Sequence, residues 1–244
     1  MLYIIGIGPG KRSLMTQRAI EAIDQAGIVV GYTTYVKLVE DLIGDKKVLS
    51  TGMRGEVERC KKAIDLAREG KNVALISSGD AGVYGMAGLI FEILDKEGLD
   101  LDLEIVPGVT ASSGGAALLG APLMNDFATI SLSDLLTPWE VIEKRLEAAG
   151  QGDFVICLYN PRSKGRPHNL RKALDILRPY KGNDTYIGLC KDIGRDDEAK
   201  LIFKLGDFDE EIEEKVDMTS MLIIGNKHTK AYKDYLYTQR GYDL

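Results

Sequence analysis

The sequence predicts an α/β protein, on three observations. Short apolar runs alternate with amphipathic stretches through the first half of the chain, and several of these runs lead straight into loops of small residues. An apolar run of about four to eight residues between turn signals reads as a buried strand, and a longer amphipathic stretch as a helix laid on the sheet. Their alternation favours a mostly parallel sheet with helices on both faces. The third observation is length: 244 residues are comfortable for two compact domains, each burying its own core, although one large domain also fits.

In chain order, residues 2–7 read as the first strand, 14–25 as a helix, 28–30 as a strand, 57–69 as a helix, 73–77 as a strand, 83–95 as a helix and 103–106 as a strand. A segment rich in small residues follows at 107–115, then an Ala/Leu stretch and Ala121-Pro122. The domain boundary is placed near residue 120, giving domains 1–120 and 121–244. In the second half, residues 128–132, 154–159, 185–190 and 200–205 read as strands and 218–225 as a terminal one. Thr137-Pro-Trp-Glu140 combines an N-cap hydroxyl with proline at the first helical position, so a helix is expected from Pro138 to about Ala149. The tyrosine-rich segment 231–244 reads as a peripheral helix or arm.

Composition excludes several classes. A net charge of -6 argues against general nucleic-acid binding, which needs a surplus of Lys and Arg on one face. The three cysteines, Cys60, Cys157 and Cys190, are widely spaced and odd in number, so neither a disulfide framework nor a CxxC metal site is expected, and no protein-held metal. No cationic leader precedes the first strand, and no stretch approaches about 18 apolar residues, so a cytoplasmic protein without a membrane partner is expected.

Three glycine-rich loops carry the chemistry. Gly6-Ile-Gly-Pro-Gly10 follows a strand and evokes a dinucleotide fingerprint, but Pro9 removes an amide donor and Lys11 and Arg12 stand where the third glycine belongs. The second loop, SSGDAGVYG at residues 77–85, sits at the carboxyl end of a strand, where open α/β sheets bind ligands. Its Asp80 has two readings, acceptor for ribose hydroxyls or an amino group and helix N-cap. The third, PGVTAS at 107–112, reads as a tight turn or a ligand loop. Three such loops after three strands favour a shared crevice.

With these motifs in place, the sequence resembles the tetrapyrrole methylase superfamily, whose members carry GxGPG, GDxxxYG-type and VPGxTA loops in this order. Segments 31–36, 51–59, 130–139, 158–164 and 221–226, and Ala81 where most members have proline, make it similar to the branch acting at C-17 of precorrin-3B or cobalt-factor III. The resemblance implies two α/β domains of the tetrapyrrole methylase type, with the donor S-adenosylmethionine in the cleft between them, a homodimer, and a tetrapyrrole substrate of cobalamin biosynthesis. Carried over by position, it implies donor contacts at Pro9, Gly79, Asp80, Val83, Thr110 and Ala111. Tyr159 or Asn160 completes that set, with Lys191 and Asp192 added on spacing alone.

Methyl transfer from a sulfonium asks mainly for in-line positioning and relief of a proton, so no catalytic triad is expected. A polycarboxylate tetrapyrrole needs local cations in an acidic chain. Arg162, Lys164 and Arg166, in a loop after a strand, are the candidates for substrate contact, with Arg54 beside them, whereas Arg171 and Lys172 read as a solvated helix face. The C-17 branch also contracts the macrocycle, and Glu56, Asp126, Ser131 and Asp134 are candidate acid/base groups. Each has an equal reading as a cap or surface residue. His168 reads as a surface residue or a proton shuttle, and His228 as bordering the pocket. The rivals are a methylase of the same fold acting at another precorrin position or on protein or RNA, and a dinucleotide-binding module.

Overall fold

In the computed structural model, which describes residues 1–243, the chain divides into two compact units, Met1–Ala111 and Ser112–Leu244. The first contains β1 (Leu2–Gly6), α1 (Gln17–Gln25), β2 (Ile28–Tyr32), α2 (Thr33–Lys37), α3 (Glu40–Ile43), β3 (Lys47–Thr51), α4 (Glu56–Arg68), β4 (Val73–Ser77), α5 (Ala87–Glu97) and β5 (Leu103–Val106). Its five strands form a parallel sheet in the order β3-β2-β4-β1-β5. Alternation along β1 explains why both faces are covered. Leu2 and Ile4 enter a core with Cys60 and Ile64 of α4 and Ile90 and Leu94 of α5, while Tyr3 and Ile5 enter another with Ala19 and Ile23 of α1.

Strand order positions the loops. The chain leaves β1 toward β2 on one side and reaches β5 from β4 on the other, so the order reverses around β1. The carboxyl ends of β4, β1 and β5 therefore open side by side, at the kind of switch point where such sheets take ligands. The 83–95 helix is corrected to a start at Ala87, because the preceding loop folds onto itself. Tyr84 takes a positive φ, and the Ala87 amide donates to the Ala81 carbonyl at 3.0 Å. Strand β3 has no forecast counterpart: it lies at the sheet edge, and its sequence KVLST lacks a continuous apolar run.

The second unit carries α6 (Ala111–Leu119), β6 (Gly120–Ala121), β7 (Phe127–Ser131), α7 (Trp139–Gln151), β8 (Val155–Tyr159), α8 (Asn169–Lys181), β9 (Tyr186–Lys191), β10 (Ala199–Lys204), α9 (Glu210–Glu214), β11 (Ser220–Ile224), β12 (Thr229–Tyr232) and β13 (Tyr235–Thr238). Here the five-stranded sheet runs β10-β9-β11-β8-β7, and only β7 and β8 are parallel neighbours. Its core joins Ile142 and Leu146 of α7 and Leu170, Leu174 and Leu177 of α8 to Ile156, Leu158 and Leu222 of the sheet. The division falls at the start of α6, not near residue 120. Gly115 of α6 lies against β9, where its carbonyl accepts from Cys190 Sγ at 3.5 Å.

Two local expectations are overturned. Residues 229–238 form a hairpin, not a helix or arm, paired to β6 through β13, with Leu236 and Thr238 buried and Tyr235 and Tyr237 exposed. That two-residue alternation belongs to a strand. Leu244, the end of that segment, lies outside the described residues. At α7 the first helical residue is Trp139, and Pro138 takes the cap position with extended ψ and no side-chain bond, so Thr137 does not cap the helix.

Helix α1 is capped as the rule for hydroxyls predicts. Thr16 Oγ1 accepts from the Ala19 amide at 3.1 Å and also donates to the Pro107 carbonyl at 3.1 Å, tying the helix start to the loop after β5. Thr16→Ala removes both bonds and is expected to cost about 1–2 kcal/mol, read as a fall in Tm, with Thr16→Ser restoring most of it.

Candidate functional site

In the first unit the three loops are built around one another. Gly8 and Gly79 exchange amide–carbonyl hydrogen bonds at 3.0 and 2.8 Å, and the Ile7 amide donates to the Ser77 carbonyl at 2.9 Å. A Cβ on Gly6 would sit 2.7 Å from the Gly79 oxygen and 2.8 Å from the Gly108 nitrogen, and one on Gly108 would meet that same oxygen and lie 2.6 Å from the Gly6 carbonyl carbon. Glycine at positions 6 and 108 therefore serves loop-on-loop contact.

Asp80 closes this assembly. Its Oδ1 accepts from the Gly82 amide at 2.8 Å and its Oδ2 from the Gly108 amide at 2.9 Å, so one carboxylate braces its own loop and clamps the loop after β5. It does not cap α5, which starts at Ala87. Pro9 and Gly79 are buried, Val83 is exposed, and Thr110 and Ala111 are half-buried on the same edge. Asp80 is the only charged residue in segments 6–10, 77–86 and 107–111. This edge offers backbone polar groups, small side chains and one negative charge, which favours a cationic over an anionic ligand.

Arg54 and Glu56 follow β3, so the parallel sheet brings them to the same end, two strands from β4 and hence about 10 Å away across the sheet. Arg54 is exposed, with a positive φ. Glu56 opens α4, where its charge complements the helix N-terminus, and stands 3.6 Å from Arg59. Arg59 has no place among the forecast residues: buried, it donates to Thr51 Oγ1 at 2.5 Å and the Gly52 carbonyl at 2.9 Å, pinning the loop that carries Arg54.

In the second unit, the carboxyl ends of β7 and β8 form one bonded edge. Asn160, with φ 51°, donates from Nδ2 to Ser131 Oγ at 3.0 Å; the Leu132 amide donates to the Tyr159 carbonyl at 2.9 Å, and the Tyr159 hydroxyl accepts from the Ser112 amide at 2.8 Å. Asn169 Nδ2 donates to the Leu132 carbonyl at 2.9 Å, and Arg166 Nη1 to Ser133 Oγ at 3.0 Å. Strand β9 runs the same way as β8, so Lys191 and Asp192 also reach this edge, where Lys191 pairs with Asp217 at 2.6 Å. Burial works against ionised Asp217, but hydrogen bonds from Lys191 and Thr219 outweigh it and hold its carboxyl below the ordinary value.

The cationic loop separates into unlike members. Arg162 Nη1 donates to the Glu213 carbonyl at 2.8 Å, Lys164 is exposed, and Arg166 is buried. Arg171 pairs with Glu213 at 2.5 Å. Asp134 and His168 are exposed, His168 at the start of α8 without a side-chain cap.

Asp126 and His228 are not brought to this edge. Asp126 precedes β7, five residues from Ser131 and so about 16 Å along the strand, at the opposite end of the sheet. His228 follows β11, which is antiparallel to β8, so its carboxyl end lies where β8 begins. Burial pushes the Cys60, Cys157 and Cys190 thiols up to about 12, which leaves them as core residues instead of nucleophiles.

The family of Tetrapyrrole (Corrin/Porphyrin) Methylases matches residues 1–209. A Salmonella typhimurium protein named probable cobalt-factor III C(17)-methyltransferase is 57% identical over 244 residues, 100% of both chains. The precorrin-3B C(17)-methyltransferase of Sinorhizobium sp is 39% identical, covering 99% of this chain and 96% of its own. Among solved structures, that of the methyltransferase CobJ has a TM-score of 0.92 at 36% identity, over 98% of this chain and 99% of its own.

The contact among the three loops makes a steric prediction. Gly108→Ala is expected to lower stability by about 2 kcal/mol or more, because its clash is with backbone and cannot be relieved by a rotamer. Gly88→Ala, in a helix with nothing within 4 Å of the new methyl, is expected to raise it by up to about 1 kcal/mol. Denaturant titration of both variants checks the pair.

Proposed function

The chain belongs to the tetrapyrrole (corrin/porphyrin) methylase family, and from that membership we propose an S-adenosylmethionine-dependent methyltransferase that methylates C-17 of cobalt-factor III, or of precorrin-3B, with ring contraction, in cobalamin biosynthesis. The reading is carried by end-to-end likeness to a relative of that name at 57% identity. Cobalt, where present, belongs to the substrate.

The loops of the first unit fit the donor. Bound there, S-adenosylmethionine supplies a methyl group on a cationic sulfonium. Segments 6–10, 77–86 and 107–111 bring no cation to repel that charge, and Asp80 contributes an anion. Gly79, Val83, Thr110, Ala111 and Pro9 line the edge, while Asp80 holds the second and third loops in register through its two amide bonds. In the second unit, Tyr159 and Asn160 order the β7–β8 edge, with Ser131 as the hydroxyl that Asn160 holds; Ser131 is the candidate group for proton handling there, with Glu56 in the first unit. Asp126 is not retained in that role. Lys164, exposed after β8 in the second unit, meets a peripheral carboxylate of the tetrapyrrole. The proposal includes a homodimer located in the cytoplasm; among the described residues no helix is long and apolar enough to cross a membrane.

Calorimetry with S-adenosylhomocysteine and mass spectrometry of the product from each tetrapyrrole test the reading. Binding of a dinucleotide in place of S-adenosylhomocysteine, or no methylated tetrapyrrole from either substrate, would overturn it. Asp80→Ala, which leaves two amides without their carboxylate, is expected to weaken S-adenosylhomocysteine binding by about tenfold or more. Lys164→Ala is expected to raise the tetrapyrrole KM while leaving that affinity unchanged. Sedimentation gives the assembly state.

A further inference from the structure

The exit of β7 presents two features that folding alone does not explain. The first is Arg166. It is 8% exposed, yet among the described residues it forms no ion pair: Nη1 is bonded to Ser133 Oγ, Nη2 lies 3.8 Å from Met218 Sδ, and Nε has no partner. A guanidinium does not lose its proton, and a buried charge without a counter-ion is costly. The backbone offers no escape, because Ser163 and Arg166 close a tight turn through each other's amides and carbonyls. Its loop neighbours differ: Arg162 is spent on the Glu213 carbonyl, and Lys164 is solvated.

The second feature lies on the segment Arg166 grips. Ser131, Leu132 and Ser133 are each held, by Asn160, by Tyr159 with Asn169, and by Arg166. Directly after these anchors Leu135 is 67% exposed and Leu136 is 98% exposed. Each forgoes the roughly 1.5–3 kcal/mol that burial of such a side chain returns. Chain length keeps them close to the anchor: Leu135 lies within about 7 Å of Ser133, Cα to Cα, and Leu136 within about 11 Å. An unmatched buried cation and a bare apolar pair thus sit on two neighbouring loops, after β8 and after β7, joined through Ser133.

We propose that these two loops grip one edge of the tetrapyrrole, with Arg166 taking a peripheral acetate or propionate carboxylate and Leu135 and Leu136 covering the apolar face of the macrocycle beside it. This rests on the methylase reading and assigns the parts of the substrate within it. The ligand such a pairing recognises is a flat apolar ring bearing carboxylates. Arg166 keeps Nε–H and one hydrogen on each Nη beyond its present bonds, enough for a two-point carboxylate contact. Ser133 is the positioning residue, since its hydroxyl sets the guanidinium from the same segment that carries the leucines.

The test uses the full chain, with tetrapyrrole titrated at saturating donor, S-adenosylhomocysteine affinity by calorimetry, and sedimentation. Leu135→Ser with Leu136→Ser is expected to raise the tetrapyrrole KM about tenfold or more while Tm and donor-product affinity stay at wild-type values, because the side chains are already in water. Arg166→Gln is expected to raise that KM further, with Arg166→Lys recovering only part of the loss. A KM unchanged within about twofold in the double-serine variant overturns the proposal while leaving the methylase reading intact. Conversion of a wild-type dimer to monomer by the same variant also overturns it, assigning the leucines to a second copy. Failure of the wild-type protein to bind S-adenosylhomocysteine removes the methylase reading and this proposal together.

Discussion

The contact of Gly6, Gly79 and Gly108, backbone against backbone, is the constraint on which the first unit's functional edge depends. Three loops after three adjacent parallel strands would ordinarily splay, since each follows the twist of its own strand. Here the absence of side chains lets the loop peptides touch, and Asp80 converts the touch into bonding by accepting from Gly82 and Gly108. Charge-assisted bonds of this kind contribute about 1.5–3 kcal/mol each, enough to define one arrangement of loops that carry few other side chains. A binding edge made this way is preorganised, and its specificity is that of peptide groups and small residues.

The second unit organises its edge by another route. Its strands β7 and β8 end in Ser131 and Tyr159, and the ordering comes from side chains reaching across: Asn160 to Ser131, Asn169 to Leu132, Arg166 to Ser133. Asn160 adopts a positive φ, which asparagine tolerates better than most residues, so the turn after β8 can aim its amide back at β7. Side-chain bracing permits substitution one residue at a time, whereas the glycine contact in the first unit does not. One unit thus has an edge suited to a constant ligand, the other an edge whose contacts can diversify with substrate.

Legibility differed by element for physical reasons. Strands β1, β2 and β4 were readable because both faces of a parallel sheet are buried, which forces continuous apolar runs, and helices α1 and α4 because one apolar face of each packs on that sheet. Edge strand β3, paired on one side only, has no such run. The 83–95 helix began four residues late because Gly85 and Tyr84 close a turn first, a contact between residues that periodicity does not weigh. The hairpin at 229–238 was missed although YLYT alternates, since its tyrosines obscured that only Leu236 and Thr238 face inward. The positions read from loop motifs lie at the carboxyl ends of β1, β4 and β5, whereas Asp126, before β7, and His228, after the antiparallel β11, lie at the end of their sheet opposite Ser131.

What the sequence determined by itself was most strands of the two five-stranded sheets, the glycine-rich loops that follow three of them and the family those loops announce, because local propensity and glycine placement act over a few residues. Only the tertiary structure decided direction and burial. The antiparallel course of β11 sends His228 to the far end of its sheet. The packing around residues 163–169 buries Arg166 while leaving Lys164, two positions away, in water. The carboxylate of Asp80 is spent on Gly108, 28 residues later. Each of these outcomes depends on which segments meet, and that is fixed by long-range burial, to which no single stretch of sequence has access.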